Sequence, residues 1–97
     1  MSPASADRAA AAVRVRYWAA ARAAAGADGD DIPVAGTATV ADVLAEVRRK
    51  HDDSRFSAVL DVCSILVGDT PVGGADPARV SVRPGDTVEL LPPFAGG

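Results

Sequence analysis

The clearest helix pattern in the sequence is Thr39-Val40-Ala41-Asp42-Val43-Leu44-Ala45-Glu46-Val47, which is typical of one amphipathic helix. Its large apolar side chains recur at spacings of three, four and seven residues, so they share one helix face. They are Val40, Val43, Leu44 and Val47. Thr39 is a favoured N-cap residue. The basic run Arg48-Arg49-Lys50-His51 fills the last turn, where positive charge meets the negative end of the helix dipole, so it needs no ligand to explain it.

Two strands are predicted before this helix. Residues 13–18 alternate with period two, which is typical of a half-buried strand. One side carries Val13, Val15 and Tyr17, and the other carries Arg14, Arg16 and Trp18. Residues 19–25 favour a helical turn that ends at Gly26. Residues 31–35 could form a second strand, at a sheet edge because of Pro33, so the two strands should form a hairpin with a helical turn in its connection.

Further strands follow the main helix. Phe56–Val62 is a short irregular or helical segment, and Cys63–Val67 is a third strand. The Gly/Pro-rich stretch that ends at Arg83 holds one short strand at best, and Thr87–Leu91 is the last strand. The order is β-β-α-β-(β)-β, with one main helix on one face of a mixed sheet. It predicts an α+β fold, the β-grasp or ubiquitin-like roll, with a flexible C-terminal tail.

In this fold the first and last strands are neighbours at the centre of the sheet. Arg14 and Arg16 should therefore lie across from Glu89 on the outer face, where opposite charges can pair.

Length and composition restrict the possible functions. The 97 residues suffice for one domain, at 13–91, with a disordered arm at 1–12 and a tail at 92–97. The formal net charge of −3 argues against nucleic-acid binding, and no apolar run approaches the roughly 20 residues of a membrane span. The single cysteine, Cys63, can form no internal disulfide or structural zinc site. We therefore expect a cytoplasmic protein that holds no metal.

The ending Pro92-Pro93-Phe94-Ala95-Gly96-Gly97 has the clearest chemistry in the chain. The prolines stiffen the exit from the last strand because their φ is fixed and they donate no hydrogen bond. Six residues can extend about 20 Å, and the two terminal glycines can enter a channel too narrow for any side chain. Another enzyme could activate the terminal carboxylate with ATP as an acyl-adenylate, for attack by a nucleophile or a sulfur donor. An ordinary flexible tail or a cloning remnant is the alternative explanation of such an ending.

The run Gly85–Gly97 is similar to an ending typical of the MoaD/ThiS sulfur-carrier family, Gly-Asp-x-Val-x-hydrophobic-hydrophobic-Pro-Pro-hydrophobic-Ala-Gly-Gly. Ala19 and Arg22, after the opening strand, resemble the family's Phe-Ala-x-x-Arg. The chain departs from the family at Ala23, where a glutamate is common. The two prolines favour the molybdopterin synthase small subunit over the thiamine member.

The resemblance implies that an E1-like, MoeB-like adenylyltransferase uses ATP to adenylate Gly97, which is then converted to a thiocarboxylate. The loaded tail would enter the MoaE-like large subunit of molybdopterin synthase, within a heterotetramer. It would give sulfur to precursor Z, cyclic pyranopterin monophosphate, in molybdenum cofactor biosynthesis. No bound cofactor is expected on this chain, and catalytic side chains should come from the large subunit. The alternatives are a sulfur carrier for thiamine or amino-acid biosynthesis and a ubiquitin-like binding module or modifier.

A partner-binding surface is predicted beside the tail. Trp18 and Leu91 should share the outer face, with Pro93 and Phe94 on the departing chain. Together they would form an apolar patch that leads through Ala95 and Gly96 to the carboxylate. The alternative is that Trp18 folds over the sheet rim and Phe94 packs against its own domain.

Overall fold

The computed structural model describes residues 11–93, in which two sheets pack with three helices. The strands are β1 (Ala12–Tyr17), β2 (Gly29–Pro33), β3 (Ala38–Thr39), β4 (Ser64–Val67), β5 (Thr70–Pro71), β6 (Ser81–Val82) and β7 (Thr87–Leu91). The helices are α1 (Ala19–Ala25), α2 (Val40–Lys50) and α3 (Ser54–Asp61), with a 3-10 turn at Pro77–Arg79.

The main sheet has the strand order β2-β1-β7-β4-β5, so the first and last strands lie side by side in its centre. They run parallel, with Tyr17 opposite Leu90, and the other pairs of this sheet are antiparallel. Helix α1 lies in the connection between β1 and β2, and Gly26 ends it in a left-handed conformation with φ 73°. The predicted β-grasp arrangement is confirmed, including the hairpin with a helical turn.

Helix α2 begins where the sequence predicts. The Thr39 hydroxyl accepts a hydrogen bond from the Asp42 N–H at 3.1 Å, and the Asp42 carboxylate accepts one from the Thr39 N–H at 3.0 Å. This reciprocal pair satisfies two N–H groups that a helix start otherwise leaves unpaired. The helix ends at Lys50, with three basic residues in its last turn.

The core lies between the main sheet and helices α2 and α3. The sheet contributes the inward side chains of β1 and β7, and the helices contribute apolar side chains that are almost fully buried. The largest fully buried side chains of the core are those of Tyr17, Phe56, Ile32, Leu90, Val13, Val15, Val40, Val43, Val47, Val82 and Val88. Burial of each such side chain stabilises the fold by about 1.5–3 kcal/mol relative to an exposed one.

Three local predictions need correction. The second strand is β2, at Gly29–Pro33, rather than 31–35, because Asp30 is held in register opposite Val15 and bonded through its side chain. Residues 54–61 form a regular helix, capped by the Asp53 carboxylate. The stretch up to Arg83 holds two short strands, β5 and β6, where one was expected at best.

Candidate functional site

Strand β7 delivers the chain to its C-terminal segment. It is hydrogen-bonded on both sides, to β1 and to β4, and its last paired residue is Leu91, opposite Ser64. The Leu90 carbonyl also accepts a hydrogen bond from the Trp18 N–H at 3.2 Å. Pro92 and Pro93 follow, outside any strand, and Pro93 is exposed. The segment therefore starts from a strand that is fixed along both edges.

The structure places two of the predicted site residues on one face of the sheet. Leu91 alternates with the buried Leu90 and so shares the outer side with Glu89. Trp18 is 38% exposed, and its indole N–H donates to the Glu89 carboxylate at 3.0 Å, so the ring lies over the sheet rather than beyond its rim. Phe94, Ala95, Gly96 and Gly97 lie outside the described residues.

Leu66 is a member of this face that the sequence analysis missed. It lies on β4, directly opposite Glu89, and is half-buried. The alternation of Ser64 and Leu66 with the inward Ile65 and Val67 was the available signal. We call the surface formed by Arg16, Trp18, Leu66, Glu89 and Leu91 the outer face.

The charges on the outer face are arranged differently from expectation. Arg16 does lie opposite Glu89 in the strand register. Within residues 11–93 the two side chains form no ion pair, and the Trp18 indole N–H donates to the Glu89 carboxylate. The Arg16 guanidinium instead lies 4.9 Å from the centroid of the Trp18 ring, a cation–π arrangement that restrains both side chains.

A polar cluster lies on the inner side of the same sheet end. The Tyr17 hydroxyl donates to an Asp30 carboxylate oxygen at 2.7 Å, and Nε2 of His51 is 2.7 Å from the same oxygen. The Lys50 ammonium is 3.5 Å from the other oxygen. The Tyr17 ring makes edge-to-face contacts with the rings of His51 and Phe56. These contacts join β1 and β2 to α3 and the end of α2, and Tyr17 lies opposite Leu90 of β7.

The pKa directions of Asp30 and Tyr17 follow from these contacts. Burial alone would raise the pKa of Asp30, but hydrogen bonds from His51 and Tyr17 and the charge of Lys50 outweigh it and lower that pKa. Burial, with Asp30 as hydrogen-bond acceptor and neighbouring negative charge, raises the pKa of Tyr17 far above its usual value. His51 therefore has a structural role at the end of α2, and no serine or cysteine nucleophile is paired with it in residues 11–93.

Cys63 has the features of a packing residue. Its thiol is half-buried, donates to the Val59 carbonyl at 3.3 Å, and has a pKa raised by burial to about 11. Within the described part of the chain, no three His, Cys, Asp or Glu side chains are grouped closely enough to hold a metal ion. No helix there has the length and apolar character to cross a bilayer.

The chain matches several solved structures, whereas no curated protein matches it. The crystal structure of SAMP1 from Haloferax volcanii is 25% identical, with 89% of this chain and 99% of that chain covered and a TM-score of 0.74. A candidate molybdopterin converting factor subunit 1 from Pyrococcus furiosus is 25% identical, with 86% and 98% covered and a TM-score of 0.69. The structure of the complex of subunits 1 and 2 of the molybdopterin-converting factor from Helicobacter pylori contains a chain that is 23% identical. This match covers 89% of this chain and 99% of that chain, with a TM-score of 0.61.

The H. pylori match supports the fold alone at its level of identity. The sequence evidence for the family is the ThiS family model, which matches residues 15–97. That match spans the sheet, the helices and the Gly-Gly ending, and it confirms the resemblance found in the sequence. The chain therefore belongs to the ThiS family of ubiquitin-like sulfur carriers.

Proposed function

We propose that this chain carries sulfur as a thiocarboxylate on Gly97 and acts as the small subunit of molybdopterin synthase. An E1-like enzyme transfers AMP from ATP to the Gly97 carboxylate and releases pyrophosphate. A sulfide equivalent then displaces AMP and leaves the thiocarboxylate. The observation that supports this best is the base of the tail, where a strand paired along both edges passes into Pro92 and Pro93. Such a base holds the start of the tail in a fixed position.

The proposed acceptor is precursor Z, bound to a MoaE-like large subunit within a heterotetramer. The two prolines and the likeness to the P. furiosus subunit support this pathway. The H. pylori complex of subunits 1 and 2 shows that this fold is used beside a second subunit in that protein. In this proposal the catalytic side chains and the pterin site belong to the large subunit, and the reaction takes place in the cytoplasm.

The outer face is the proposed contact surface for both partners. Trp18, Leu66 and Leu91 present apolar surface on three adjacent parts of the sheet, next to the point where the tail leaves. Trp is among the residue types that contribute most to binding energy in protein interfaces, and the apolar side chains around it would exclude water from the contact. Phe94 and Pro93 would extend the same contact along the tail towards Ala95, Gly96 and Gly97.

A protein modifier is the second candidate function. The 25% identity to SAMP1 of H. volcanii, a small archaeal modifier protein, favours it. A modifier uses the same adenylated terminus but passes the acyl group to lysine side chains of other proteins. A carrier for thiamine or amino-acid biosynthesis would share the thiocarboxylate and differ only in its acceptor.

Intact-mass analysis separates these candidates. The chain is incubated with ATP, the E1-like enzyme and a sulfur donor, and its mass is then measured. Replacement of the carboxylate OH by SH adds about 16 Da, and a chain without Gly97 is the matched control. Isopeptide adducts on unrelated proteins would favour the modifier instead. Conversion of precursor Z by the loaded chain with the large subunit identifies the pathway, and a loaded chain that leaves precursor Z unchanged contradicts it.

A further inference from the structure

Trp18 combines exposure to water with contacts that fix its orientation. It is the single tryptophan of the chain, and it is 38% exposed. Trp18 and Val62 are the two exposed large hydrophobic residues of the part of the chain that the structure describes. Exposed side chains ordinarily change rotamer within picoseconds to nanoseconds. The neighbours of Trp18 restrict such motion.

Two side chains of the outer face hold the Trp18 ring from different directions. The Glu89 carboxylate accepts a hydrogen bond from the indole N–H at 3.0 Å, which restrains the edge of the ring. The Arg16 guanidinium lies over the face of the ring, 4.9 Å from its centroid. Arg16 and Glu89 are themselves opposite each other in the paired central strands β1 and β7. The ring is therefore restrained at its edge and its face by groups that start from a fixed backbone.

The backbone of Trp18 is fixed as well. Its N–H donates to the Leu90 carbonyl at 3.2 Å, which continues the contact between β1 and β7 beyond the last paired residue of β1. Ala19, the next residue, has a φ of 49°, in the left-handed region. Strained conformations of this kind persist where the surrounding structure imposes them, and they cluster at sites of ligand contact.

The restraints on Trp18 have a small effect on folding and a larger one on binding. Hydrogen bonds and cation–π contacts between exposed groups contribute little to stability, because water competes for the same groups. A side chain that is already held in its bound orientation loses less conformational entropy when a partner binds. Tryptophan is also one of the residue types enriched among the residues that dominate binding energy.

We propose that Glu89 and Arg16 are positioning residues, which hold Trp18 in the orientation that the partner protein of the outer face binds; this rests on the function proposed above. The partner in question is the E1-like activating enzyme, which a sulfur carrier and a modifier both require. Glu89 acts through the indole N–H, and Arg16 acts through the face of the ring.

The first test measures the order of Trp18 in the free chain. Time-resolved fluorescence anisotropy reports on this side chain alone, because the chain has no other tryptophan. Glu89→Ala and Arg16→Gln should each add a picosecond-to-nanosecond component to the decay. Glu89→Gln should not, because its amide oxygen can still accept the indole hydrogen bond. Glu46→Ala, which removes a half-exposed carboxylate on α2, is the matched control and should leave the decay unchanged. The same decay in the wild-type and Glu89→Ala chains would overturn the proposal.

The second test measures adenylation by the E1-like enzyme of the same organism, through ATP–pyrophosphate exchange at varied concentrations of the chain. Glu89→Ala should raise the KM for the chain about three-fold to ten-fold, because the ring must then be ordered on binding. It should leave kcat unchanged, since it does not alter Gly97. Glu89→Gln should restore the wild-type KM, and Glu46→Ala should change neither constant. An equal rise in KM for Glu89→Ala and Glu89→Gln would mean that the partner contacts the Glu89 charge directly, and it would overturn the positioning role.

A double-mutant cycle isolates the effect that passes through the indole. Trp18→Phe keeps an aromatic ring and removes the N–H donor. In the Trp18→Phe chain, Glu89→Ala should therefore cause no further rise in KM, because the interaction between the two residues is already lost. A rise of the same size in both backgrounds would show that Glu89 acts without Trp18 and would refute the proposal.

These outcomes are distinguishable from failure of the proposed function. The exchange assay needs neither a sulfur donor nor a pterin. A chain that shows the predicted KM changes but forms no thiocarboxylate supports the positioning role and contradicts the sulfur carrier. A chain that is thiocarboxylated and keeps its wild-type KM after Glu89→Ala supports the carrier and contradicts the positioning role. A wild-type chain that the activating enzyme does not adenylate contradicts both.

Discussion

Ala19 has an unusual backbone for a residue with a side chain. Its φ is 49°, in the left-handed region, directly after Trp18 and at the start of α1. This conformation costs an L-residue about 1–2 kcal/mol. The chain accepts that cost at the turn where β1 ends and the outer face begins.

Ala19→Gly should therefore raise the free energy of unfolding by about 0.5–1 kcal/mol, since glycine adopts positive φ without a clash. Ala23→Gly, at an exposed site within the same helix, is the control and should lower it by about 0.5–1 kcal/mol. Urea unfolding of the two variants measures both effects. A loss of stability in both would contradict strain at Ala19.

Cys63 should be chemically unreactive in the folded protein. With a thiol pKa of about 11, only about one molecule in ten thousand carries the thiolate at pH 7. Alkylation by iodoacetamide should thus be much slower in the native chain than in urea. Cys63→Ala should still gain the thiocarboxylate mass on incubation with the activating system. Loss of that gain in a folded Cys63→Ala chain would give the thiol a place in sulfur transfer.

At the scale of elements, the cluster of Tyr17, Asp30, Lys50 and His51 couples two strands to the end of α2. The folded pKa of Asp30 is lowered, so its stabilising contribution is present above its unfolded pKa and is lost as pH falls through the folded value. The folded pKa of Tyr17 is raised, so its contribution is present below about pH 10 and is lost as pH rises further.

Chain stability should consequently fall below about pH 4 and above about pH 10. Tyr17→Phe should flatten the alkaline limb and Asp30→Asn the acid limb. Each should cost about 1–3 kcal/mol near pH 7, because the first removes a part-buried hydrogen bond to a carboxylate and the second removes the charge that His51 and Lys50 contact. Unfolding free energies measured from pH 3 to 11 test this. An alkaline limb of the same slope in the Tyr17→Phe chain would contradict the assignment.

The sequence could predict the elements that local contacts define, and not those that depend on contacts between distant residues. Helix α2 and strand β7 were predictable because their caps and periodicity are local. The start of β2 was not, because Asp28-Gly29-Asp30 has turn chemistry by itself. Asp30 belongs to the strand through contacts with Tyr17 and His51, 13 and 21 residues away.

The residues of the candidate site also include some that a local pattern predicts and one that only strand pairing brings to the site. Alternation along the two central strands placed Trp18 and Leu91 on one face. Leu66 joins them only through the pairing of β4 with β7, which the sequence did not specify residue by residue. The bond from the Trp18 indole to Glu89, where an ion pair with Arg16 was expected, spans 71 residues.

For the whole molecule, folding and the proposed loading of the tail should be separable. Strand pairing ends at Leu91, so deletion of Gly97 should leave the free energy of unfolding unchanged within about 0.5 kcal/mol. The same deletion, or one added residue, should abolish thiocarboxylate formation and sulfur transfer. Leu90→Ala is the opposite control and should cost about 2–5 kcal/mol because Leu90 is fully buried. Unfolding of the Gly97 deletion, seen by circular dichroism, would contradict this separation.

The outer face should contribute more to association than to stability. Leu66→Ala and Leu91→Ala remove apolar side chains that are only half-buried, so each should lower unfolding free energy by less than about 2 kcal/mol. Each should raise the Kd for the large subunit about ten-fold or more, because each removes apolar groups that the interface would bury at about 0.8 kcal/mol per methylene, and about 1.4 kcal/mol is ten-fold in Kd. Val62→Ala, which truncates a 59% exposed side chain after α3, is the matched control and should change Kd less than about two-fold. Calorimetric titration of the three variants measures the difference. Equal affinities for all three variants would mean that the large subunit binds the tail and does not contact the outer face.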